Sequence, residues 1–403
     1  MKIGLIREGK TPPDKRVPLT PNQCIEAMNR FANLKIVVQS SAVRTFDDSE
    51  YQSKGIEIVD DLSDCDVIMG VKEVCLEDLI PNKHFFFFSH TIKKQPYNRK
   101  LLQAIITNKI KLTDYEVLQD ESGNRLIGFG RYAGIVGCYN GFRAFGLKHK
   151  IYDLKPANQC FDRKEMEGEL VKVKLPNQTR IVLTGFGRVG HGAREIMRLL
   201  PISEVTPEVY LEKEYDEPIF THLNVEDYNE RLDGNPFDKA DFYSDGSGHQ
   251  STFNRYLEKT DMYVACHFWK STAPFLFTRE DLKCTHNRLS VVADISCDID
   301  GPVACTIRPS TIANPIYGYD VMNECEGDYR NDATIAVMAV DNLPCELPRD
   351  ASADFGKELI DKIFPALIED DPTEIISRGS ETTFEGELSS NFKYLQAYLD
   401  GNE

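Results

Sequence analysis

The chain has 403 residues, 41% of them hydrophobic and 28% charged, which is ordinary for a globular protein of one to three domains. Its net charge of −17 makes nucleic acid and anionic membranes poor partners, and no apolar run reaches transmembrane length. The eleven cysteines form no CxxC pair or metal-type cluster, and the start MKIGLIREG predicts a strand, not a targeting segment. We therefore expect reduced thiols, no metal and a cytoplasmic protein.

Strands and helices alternate through the first third of the chain. Apolar runs predict strands at 2–6, 34–39, 66–72, 85–90 and 110–116. Helical spacing of apolar residues predicts helices at 21–31, 46–55 and 98–108. This alternation predicts βαβ units, a parallel sheet and right-handed crossovers.

A second set of elements follows a Gly-rich helical stretch at 131–148. Further strands are predicted at 180–184, 218–224, 261–268 and 289–296. The stretch from 201 to 259 is longer than a βαβ connection needs. Within it, DGSGHQSTFNRYLEKT predicts an inserted loop and helix over the site.

These patterns predict an α/β protein with two Rossmann-like doubly wound domains and a cleft between them. Residues 1–130 and 345–403 form the predicted substrate or catalytic domain, which is discontinuous. Residues 131–344 form the predicted dinucleotide-binding domain. Because the stretch after Asp341 has no sheet of its own, we expect the C-terminal segment to return to the first domain.

The string TGFGRVGHG places Gly185, Gly187 and Gly190 in a GxGxxG pattern directly after an apolar strand. The first glycine permits a tight turn, the second lets the backbone approach a pyrophosphate, and the third lets helix and strand pack closely. The helix N-terminus then offers N–H groups to the phosphates. In this strand–turn–helix setting the pattern favours a dinucleotide site over a ligand-free glycine turn.

The ribose-binding position departs from the usual acid. If the strand at 218–224 is the second of this domain, its last residue is Asn224, with Glu226 and Asp227 beyond it. An amide bonds a ribose hydroxyl less firmly than a carboxylate does, and it repels a 2′-phosphate less. The choice between NAD and NADP is therefore left open, and NAD is named as the cofactor with NADP possible.

Titratable groups follow the apolar runs of the first domain. Lys72 and Glu73 end one strand, His90 ends the aromatic run FFFFSH, and Asp114 and Glu116 end a third. A lone histidine here would be an ordinary loop residue, but carboxyl ends of parallel strands meet at one edge of a sheet. Close together, these groups can be tuned for proton transfer. Cations at Arg16, Lys93 and Arg125 would suit a substrate with several carboxylates, or are surface charge.

Several strings resemble one family. They are GVKE, FFSHTIKKQ, LTDYE, ESGNRLIGFGRYAGIVG, VADISCD, AVDNLPCELPRDAS and SSNFKYLQAYLDG. They are similar to lysine-forming saccharopine dehydrogenase, and particularly to the lysine–ketoglutarate reductase half of the bifunctional lysine-degrading enzyme. Both lie within the alanine dehydrogenase–transhydrogenase superfamily. The resemblance covers most of the chain except about 201–260.

The resemblance implies roles for individual residues. Lys72 would accept the proton of a secondary amine, His90 would be the acid–base group of the imine and carbinolamine steps, and Glu73 and Glu116 would set their pKa values. Substrate would contact Arg16, Lys93, Arg125, Ser296, Cys297 and Asp298. The dinucleotide would contact Gln95, Phe129, Gly187, Arg188, Ile295, Asp341 and Leu343, with Phe268 in place of another aromatic residue near the adenosine. Asn224 and Asn124, the latter standing where some members have a second arginine, are the departures.

The implied function is an NAD(P)-dependent oxidoreductase acting on CH–NH donors in lysine metabolism. It would interconvert saccharopine with L-lysine and 2-oxoglutarate, as a monomer or small homo-oligomer. One alternative is reductive amination of a small 2-oxo acid, as in alanine dehydrogenase. Another is a non-catalytic dinucleotide-binding relative, although such a protein would not need the Lys/Glu/His/Glu set. The direction of the reaction is left open.

Overall fold

The protein is described by a computed structural model that covers residues 1–284 and 286–402. The chain forms two compact units. The first unit consists of Met1–Phe129 and Pro348–Glu403, and the second unit is Gly130–Leu347. The assignment of catalysis to one domain and dinucleotide binding to the other stays a prediction. Among the described residues, no helix is both long and apolar enough to span a membrane.

The N-terminal part of the first unit contains a six-stranded sheet in which every pairing is parallel. Its strands are β1 (Lys2–Leu5), β2 (Lys35–Gln39), β3 (Glu57–Val59), β4 (Val67–Met69), β5 (His84–Phe87) and β6 (Lys111–Asp114). They lie in the order β3-β2-β1-β4-β5-β6. The helices are α1 (Pro21–Arg30), α2 (Asp48–Gln52) and α3 (Arg99–Thr107). The predicted parallel α/β sheet is confirmed, and β3 is an additional strand.

The interior position of β5 in the sheet explains why this strand is rich in phenylalanine. It pairs with β4 on one side and β6 on the other, so both of its edges are bonded. Phe85 and Phe87 pack in the core on one face of the sheet, and Phe86 packs in the core on the other. The prediction that this strand extends to His90 is wrong, because regular pairing ends at Phe87 and a 3-10 turn, Thr91–Lys93, follows.

The second unit contains an eight-stranded sheet in the order β15-β14-β16-β13-β12-β7-β9-β8. Its helices are α4 (Gly130–His149), α5 (Arg163–Glu169), α6 (Arg188–Met197), α7 (Pro207–Glu212), α8 (Lys239–Ser244), α9 (Asn254–Leu257) and α10 (Arg279–Leu282). Its strands are β7 (Arg180–Thr184), β8 (Ser203–Glu204), β9 (Ile219–Leu223), β10 (Asn229–Arg231), β11 (His249–Ser251), β12 (Met262–Ala265), β13 (Val291–Asp294), β14 (Ile316–Asp320), β15 (Cys325–Gly327) and β16 (Thr334–Met338). The parallel strands of this sheet are β16, β13, β12, β7, β9 and β8, and β14 runs antiparallel to β16.

Two features of the second unit differ from the sequence-based expectation. Strands β14, β15 and β16 extend the sheet beyond the four predicted strands. In the long stretch 201–259, β8 joins the main sheet. The segment DGSGHQSTFNRYLEKT contains the predicted helix as α9, but its predicted loop includes β11, which pairs with β10 as a separate antiparallel ribbon. The short helices α7, α8 and α9 complete the stretch.

The C-terminal segment has no strand within residues 348–402 and belongs to the first unit, as expected. Its helices are α11 (Pro348–Glu358), which continues as a π-helical turn (Leu359–Ile363), α12 (Phe364–Ile368), α13 (Ile375–Arg378) and α14 (Gln396–Asp400). Many hydrogen bonds tie it to the N-terminal part. The backbone N–H of Val17 donates to Ser352 Oγ at 2.9 Å, and Tyr398 OH donates to the carbonyl of Gln95 at 2.6 Å.

Candidate active site

In the first unit, a pair of predicted catalytic residues is in direct contact. His90 Nδ1 lies 2.7 Å from Oε1 of Glu73, and Lys10 Nζ donates to the other carboxylate oxygen of Glu73 at 2.6 Å. Glu73 follows β4 and His90 follows β5, and these neighbouring parallel strands bring the two side chains to one edge of the sheet. Lys10, which follows β1, is a third member of this cluster that sequence reasoning missed.

The protonation of this pair follows from its contacts. Burial by itself would raise the pKa of Glu73, but hydrogen bonds from His90 and Lys10 lower it to about 2. Glu73 is therefore a carboxylate at neutral pH, and a carboxylate can only accept hydrogen bonds. Nδ1 of His90 must carry the proton in this contact, which leaves Nε2 as the nitrogen that can exchange a proton with a substrate.

His90 sits on a constrained backbone. Its φ of 54° lies in the left-handed region, which is uncommon for residues other than glycine. The imidazole stacks on Phe88, with ring centroids 6.5 Å apart and an angle of 22° between the planes. The side chain is 18% exposed, so the ring is held by its surroundings but is still open to a ligand.

Lys72 is half-buried at the end of β4, next to an acid that sequence reasoning also missed. Glu8 follows β1, and its carboxylate accepts the backbone N–H groups of Val71 and Lys72 at 2.6 and 3.0 Å. Burial raises the pKa of Glu8 to about 7. Glu8 thus holds the backbone that presents Lys72 and Glu73, and its position at a strand end was the available signal.

Glu116 contacts predicted substrate cations. Its two carboxylate oxygens lie 3.0 Å from a terminal guanidinium nitrogen of Arg125 and 3.5 Å from Lys93 Nζ. The Glu116 side chain is largely buried, whereas both cations are about half exposed. The structure therefore joins Glu116, Lys93 and Arg125 into one charged cluster.

Arg16 is buried, unlike a surface charge. Its guanidinium forms a two-point contact with Asp14, at 3.1 and 2.6 Å, and lies 4.1 Å from the centre of the Phe129 ring. Phe129 in turn stacks on Phe355 of α11. Gln95 is exposed in the first unit, beyond the His90 turn.

In the second unit, the glycine loop has the form that the sequence predicts. Gly185 has φ 93°, and a Cβ on Gly190 would lie 1.8 Å from the carbonyl oxygen of Gly185. A Cβ on Gly187 would meet nothing within 4 Å, so the backbone there is open to a close ligand. Gly187 caps α6, whose first residue is Arg188, and this helix N-terminus is suited to a pyrophosphate.

Close packing of helices fixes the start of α6. A Cβ on Gly134 of α4 would lie 1.8 Å from the carbonyl oxygen of Val189 in α6. In the string GRYAGIVG, Gly134 is therefore required by this helix contact. Rigid support of this kind holds the backbone N–H groups of the loop in place.

A histidine behind the glycine loop was not predicted. His222 of β9 hydrogen-bonds through Nε2 to the carbonyl of Gly185 at 2.7 Å, and its ring stacks on Phe186 at 3.9 Å. Burial lowers the pKa of His222 to about 4, so the neutral ring donates Nε2–H to that carbonyl. His222 thus holds Gly185, the residue of the loop with positive φ, in place.

Asn224 has the predicted position. It directly follows β9, which pairs in parallel with β7, the strand that enters the glycine loop. Its side-chain oxygen accepts the backbone N–H of Val225, and Nδ2 donates to Glu226 at 2.8 Å. The exposed side chain of Glu226 therefore lies next to Asn224, and the role of Asn224 in binding the ribose stays a prediction.

The turn after β13, which contains Ser296, Cys297 and Asp298, is held by hydrogen bonds to buried Asp294. Ser296 Oγ and the backbone N–H of Cys297 donate to Asp294 Oδ1 at 2.6 and 3.0 Å. Cys297 has φ 55°, and burial raises the pKa of its thiol to about 12. Burial, with the charge of Asp294, raises the pKa of Asp298 to about 6.

The remaining predicted cofactor contacts of the second unit differ in exposure. Ile295 and Leu343 are buried, and both lie against Gly137 of α4. Asp341 is exposed, and Phe268 is 70% exposed, with its ring 6.3 Å from that of Tyr243. No group of three or more His, Cys, Asp or Glu residues suited to a metal occurs within residues 1–284 and 286–402.

Comparison with known proteins agrees with this geometry. The family model described as alanine dehydrogenase/PNT, N-terminal domain, matches residues 4–136. The chain is 30% identical to alpha-aminoadipic semialdehyde synthase of Arabidopsis thaliana, over 99% of this chain and 42% of that protein. It is 26% identical to saccharopine dehydrogenase [NAD(+), L-lysine-forming] of Emericella nidulans, over 91% of this chain and 92% of that one. The chain thus spans less than half the length of the synthase.

Two solved structures share the fold. An L-alanine dehydrogenase superimposes with a TM-score of 0.65 at 13% identity, over the whole of both chains. A transhydrogenase from Sinorhizobium meliloti does so with a TM-score of 0.55 at 12% identity, over 96% of this chain and all of that chain. At such identities the likeness concerns the fold alone.

Proposed function

Because the chain belongs to the family of lysine-forming saccharopine dehydrogenases and lysine–ketoglutarate reductases, within the alanine dehydrogenase–transhydrogenase superfamily, we propose that it interconverts saccharopine with L-lysine and 2-oxoglutarate. The observation that carries the proposal is the contact between Glu73 and His90 at the ends of β4 and β5. This contact orients His90 as an acid–base group. Both residues lie in sequence strings that resemble those of this family.

His90 and Lys72 are proposed to move the protons of the reaction. The Glu73 carboxylate accepts Nδ1–H of His90, so Nε2 is the site where a proton leaves or arrives. Lys72 would take the proton of the secondary amine. Glu8 supports Lys72 by accepting its backbone N–H, and Glu73 orients the His90 ring, so a carboxylate contacts each of the two proton-transfer residues.

The substrate would meet cations that already have partners. Lys93 and Arg125 lie against Glu116, and Arg16 lies against Asp14. These acids orient the cations without using all of their N–H donors, since an arginine has five and a lysine three. A substrate with several carboxylates fits such a set better than pyruvate does.

The second unit fits a dinucleotide. The positive φ of Gly185, the open space at Gly187 and the N-terminus of α6 supply what a pyrophosphate needs. A nicotinamide dinucleotide, when bound, supplies the site that accepts or donates the hydride. NAD is the proposed cofactor, and NADP remains its alternative. The cytoplasmic location and a monomer or small homo-oligomer are part of the same proposal.

The test is an absorbance assay for oxidation of NADH, and separately of NADPH, with lysine and 2-oxoglutarate. Oxidation that needs both compounds supports the proposal. Oxidation with pyruvate and ammonia instead would make the protein an alanine dehydrogenase-like enzyme. Dinucleotide binding with no turnover of either pair would make it a non-catalytic relative.

Variants tie the reaction to the site. We expect His90→Gln and Lys72→Met each to lower kcat by roughly 10²-fold or more, as loss of a general acid–base group does. Exposed residues of the same types provide matched controls, His149→Gln and Lys100→Met, which should leave kcat unchanged. Activity retained within a few-fold in both test variants would remove the assignment.

A further inference from the structure

Two fully buried carboxyl groups lie behind the turn that carries His90. Asp114 is the last residue of β6, Glu381 lies in the C-terminal segment, and both are 0% exposed. Within the described part of the chain, neither forms an ion pair with a lysine, arginine or histidine. Two buried carboxylates with no counter-ion are unfavourable, because each charge has lost its hydration and repels the other.

Both carboxyl groups bond the residues on either side of His90. The backbone N–H and the hydroxyl of Ser89 donate to Asp114 Oδ2 at 2.9 and 2.6 Å. Thr91 Oγ1 donates to Glu381 Oε2, and the backbone N–H of Thr91 donates to Ser89 Oγ at 3.1 Å. The left-handed residue His90 is therefore anchored both before and after its own position.

The contacts in this cluster need more protons than its two hydroxyl groups provide. Ser89 Oγ lies 2.6 Å from Asp114 Oδ2, 3.2 Å from Glu381 Oε1 and 2.7 Å from Thr91 Oγ1. The two hydroxyls bring only two protons, which the contacts to Asp114 and Glu381 use. Two contacts of Ser89 Oγ then remain, to Thr91 Oγ1 and to Glu381 Oε1, and a proton on Glu381 supplies the donor for the contact to Oε1.

The third proton belongs on Glu381. Asp114 accepts three N–H or O–H donors, because the backbone N–H of Glu116 also donates to it at 2.6 Å. Burial raises the pKa of both groups, and the charge of Asp114 raises that of Glu381 further. The other titratable groups near the pair include Glu116, Tyr115, Tyr394 and Tyr398. The nearest cations contact these groups and not the pair: Lys93 lies against Glu116, Lys94 over the Tyr394 ring and Arg99 over the Tyr398 ring.

We propose that Glu381 is a positioning residue: as a neutral carboxylic acid beside ionised Asp114, it holds the Ser89–Thr91 turn so that His90 meets Glu73 in the reactive orientation. This proposal rests on the proposed function for the catalytic role of His90. The protonated state and its structural consequence stand on the contacts of the buried pair alone.

The test compares Glu381→Gln with Glu381→Ala. A glutamine amide keeps the size and a hydrogen-bond donor, so we expect its kcat to stay within about twofold of wild type at neutral pH. Alanine removes the anchor on Thr91, so we expect kcat to fall by roughly tenfold or more while dinucleotide affinity is unchanged. Glu387→Gln, an exposed change in the same segment, is the matched control.

Stability against pH is the second readout. A carboxyl whose folded pKa is raised contributes stability that is lost as pH rises through that pKa. Wild type should therefore lose stability relative to Glu381→Gln as the pH rises above the ordinary glutamate pKa of 4.5, as followed by urea unfolding. Difference infrared spectroscopy should show a protonated carboxyl band in wild type that Glu381→Gln lacks.

Other results would overturn the proposal. A glutamine variant as impaired as the alanine variant would mean that the ionised carboxylate is needed. An alanine variant with wild-type kcat would mean that Glu381 does not position His90. If the wild type turns over no substrate, the proposed function fails separately. The infrared band, the stability profile and the NMR shifts of the His90 ring in the two variants then decide this proposal.

Discussion

The Nδ1 atom of His90 and the Oε1 atom of Glu73 lie 2.7 Å apart, and Lys10 holds the second oxygen of the same carboxylate. This arrangement sets the tautomer of the imidazole, because the carboxylate can only accept. It also explains why a histidine follows a strand of buried phenylalanines. The strand is bonded on both edges and packed on both faces, so the turn after it has a rigid base.

Replacing the Glu73 carboxylate should reverse the hydrogen bond at His90. In Glu73→Gln the amide can donate to Nδ1, which favours the tautomer whose proton is on Nε2. We expect kcat to fall by about tenfold to a hundredfold with dinucleotide affinity unchanged, measured by steady-state kinetics and a binding titration. Glu77→Gln, an exposed change in the segment after β4, is the control. Equal kcat in the two variants would contradict this role of Glu73.

The glycines of the second unit should respond differently to a methyl group. Gly187→Ala meets open space, so the protein should fold, but dinucleotide affinity should fall by roughly tenfold because the backbone can no longer approach the phosphates. Gly190→Ala clashes with the Gly185 carbonyl and should destabilise the second unit itself. Thermal unfolding and calorimetric titration measure the two effects.

The control for the glycine variants is Gly168→Ala in α5, where a Cβ also meets nothing within 4 Å. It should retain both stability and dinucleotide affinity. Unchanged affinity in Gly187→Ala would show that the pyrophosphate does not approach this backbone.

A negative charge at Asn224 should change cofactor preference. Asn224→Asp would bond ribose hydroxyls and repel a 2′-phosphate, so the ratio of kcat/KM for NADH to that for NADPH should rise by about tenfold or more. Gln52→Glu adds the same charge on the surface of the first unit and should leave the ratio unchanged. A constant ratio in Asn224→Asp would place the ribose elsewhere.

Lowering the pH should decrease the free energy of unfolding of the second unit through the titration of His222. Its folded pKa of about 4 is depressed, so its contribution to stability is present above the unfolded value and is lost as pH falls from about 6.5 through 4. Between about pH 7 and about pH 5, wild type should lose about 2 kcal/mol relative to His222→Gln. The glutamine amide keeps a donor for Gly185 but does not titrate in this range.

Urea unfolding of the two proteins at both pH values measures this difference, and His286→Gln, an exposed change in the second unit, is the control. Parallel loss of stability in wild type and His222→Gln would mean that His222 is not neutral and buried in the folded protein.

The main predictions from the sequence came from periodicity and from strings of residues. The alternation of strands and helices predicts the parallel sheets, and the GxGxxG loop has the predicted form at Gly185, Gly187 and Gly190. The predicted strand ends were less accurate, since β5 stops at Phe87 and β6 at Asp114. The hydrophobic pattern does not predict the residue at which a left-handed conformation or a 3-10 turn ends the strand pairing.

By itself, the sequence determined that the chain is α/β, that its C-terminal segment has no sheet, and which strand ends carry acids and bases. Only the tertiary structure decided which of these groups meet. Glu8, Lys10, His222 and Glu381 belong to the two candidate sites through contacts with partners that are 37 to 290 residues away in the sequence. Contacts of this kind depend on strand order and on the return of the C-terminal segment, which local propensity and periodicity do not encode.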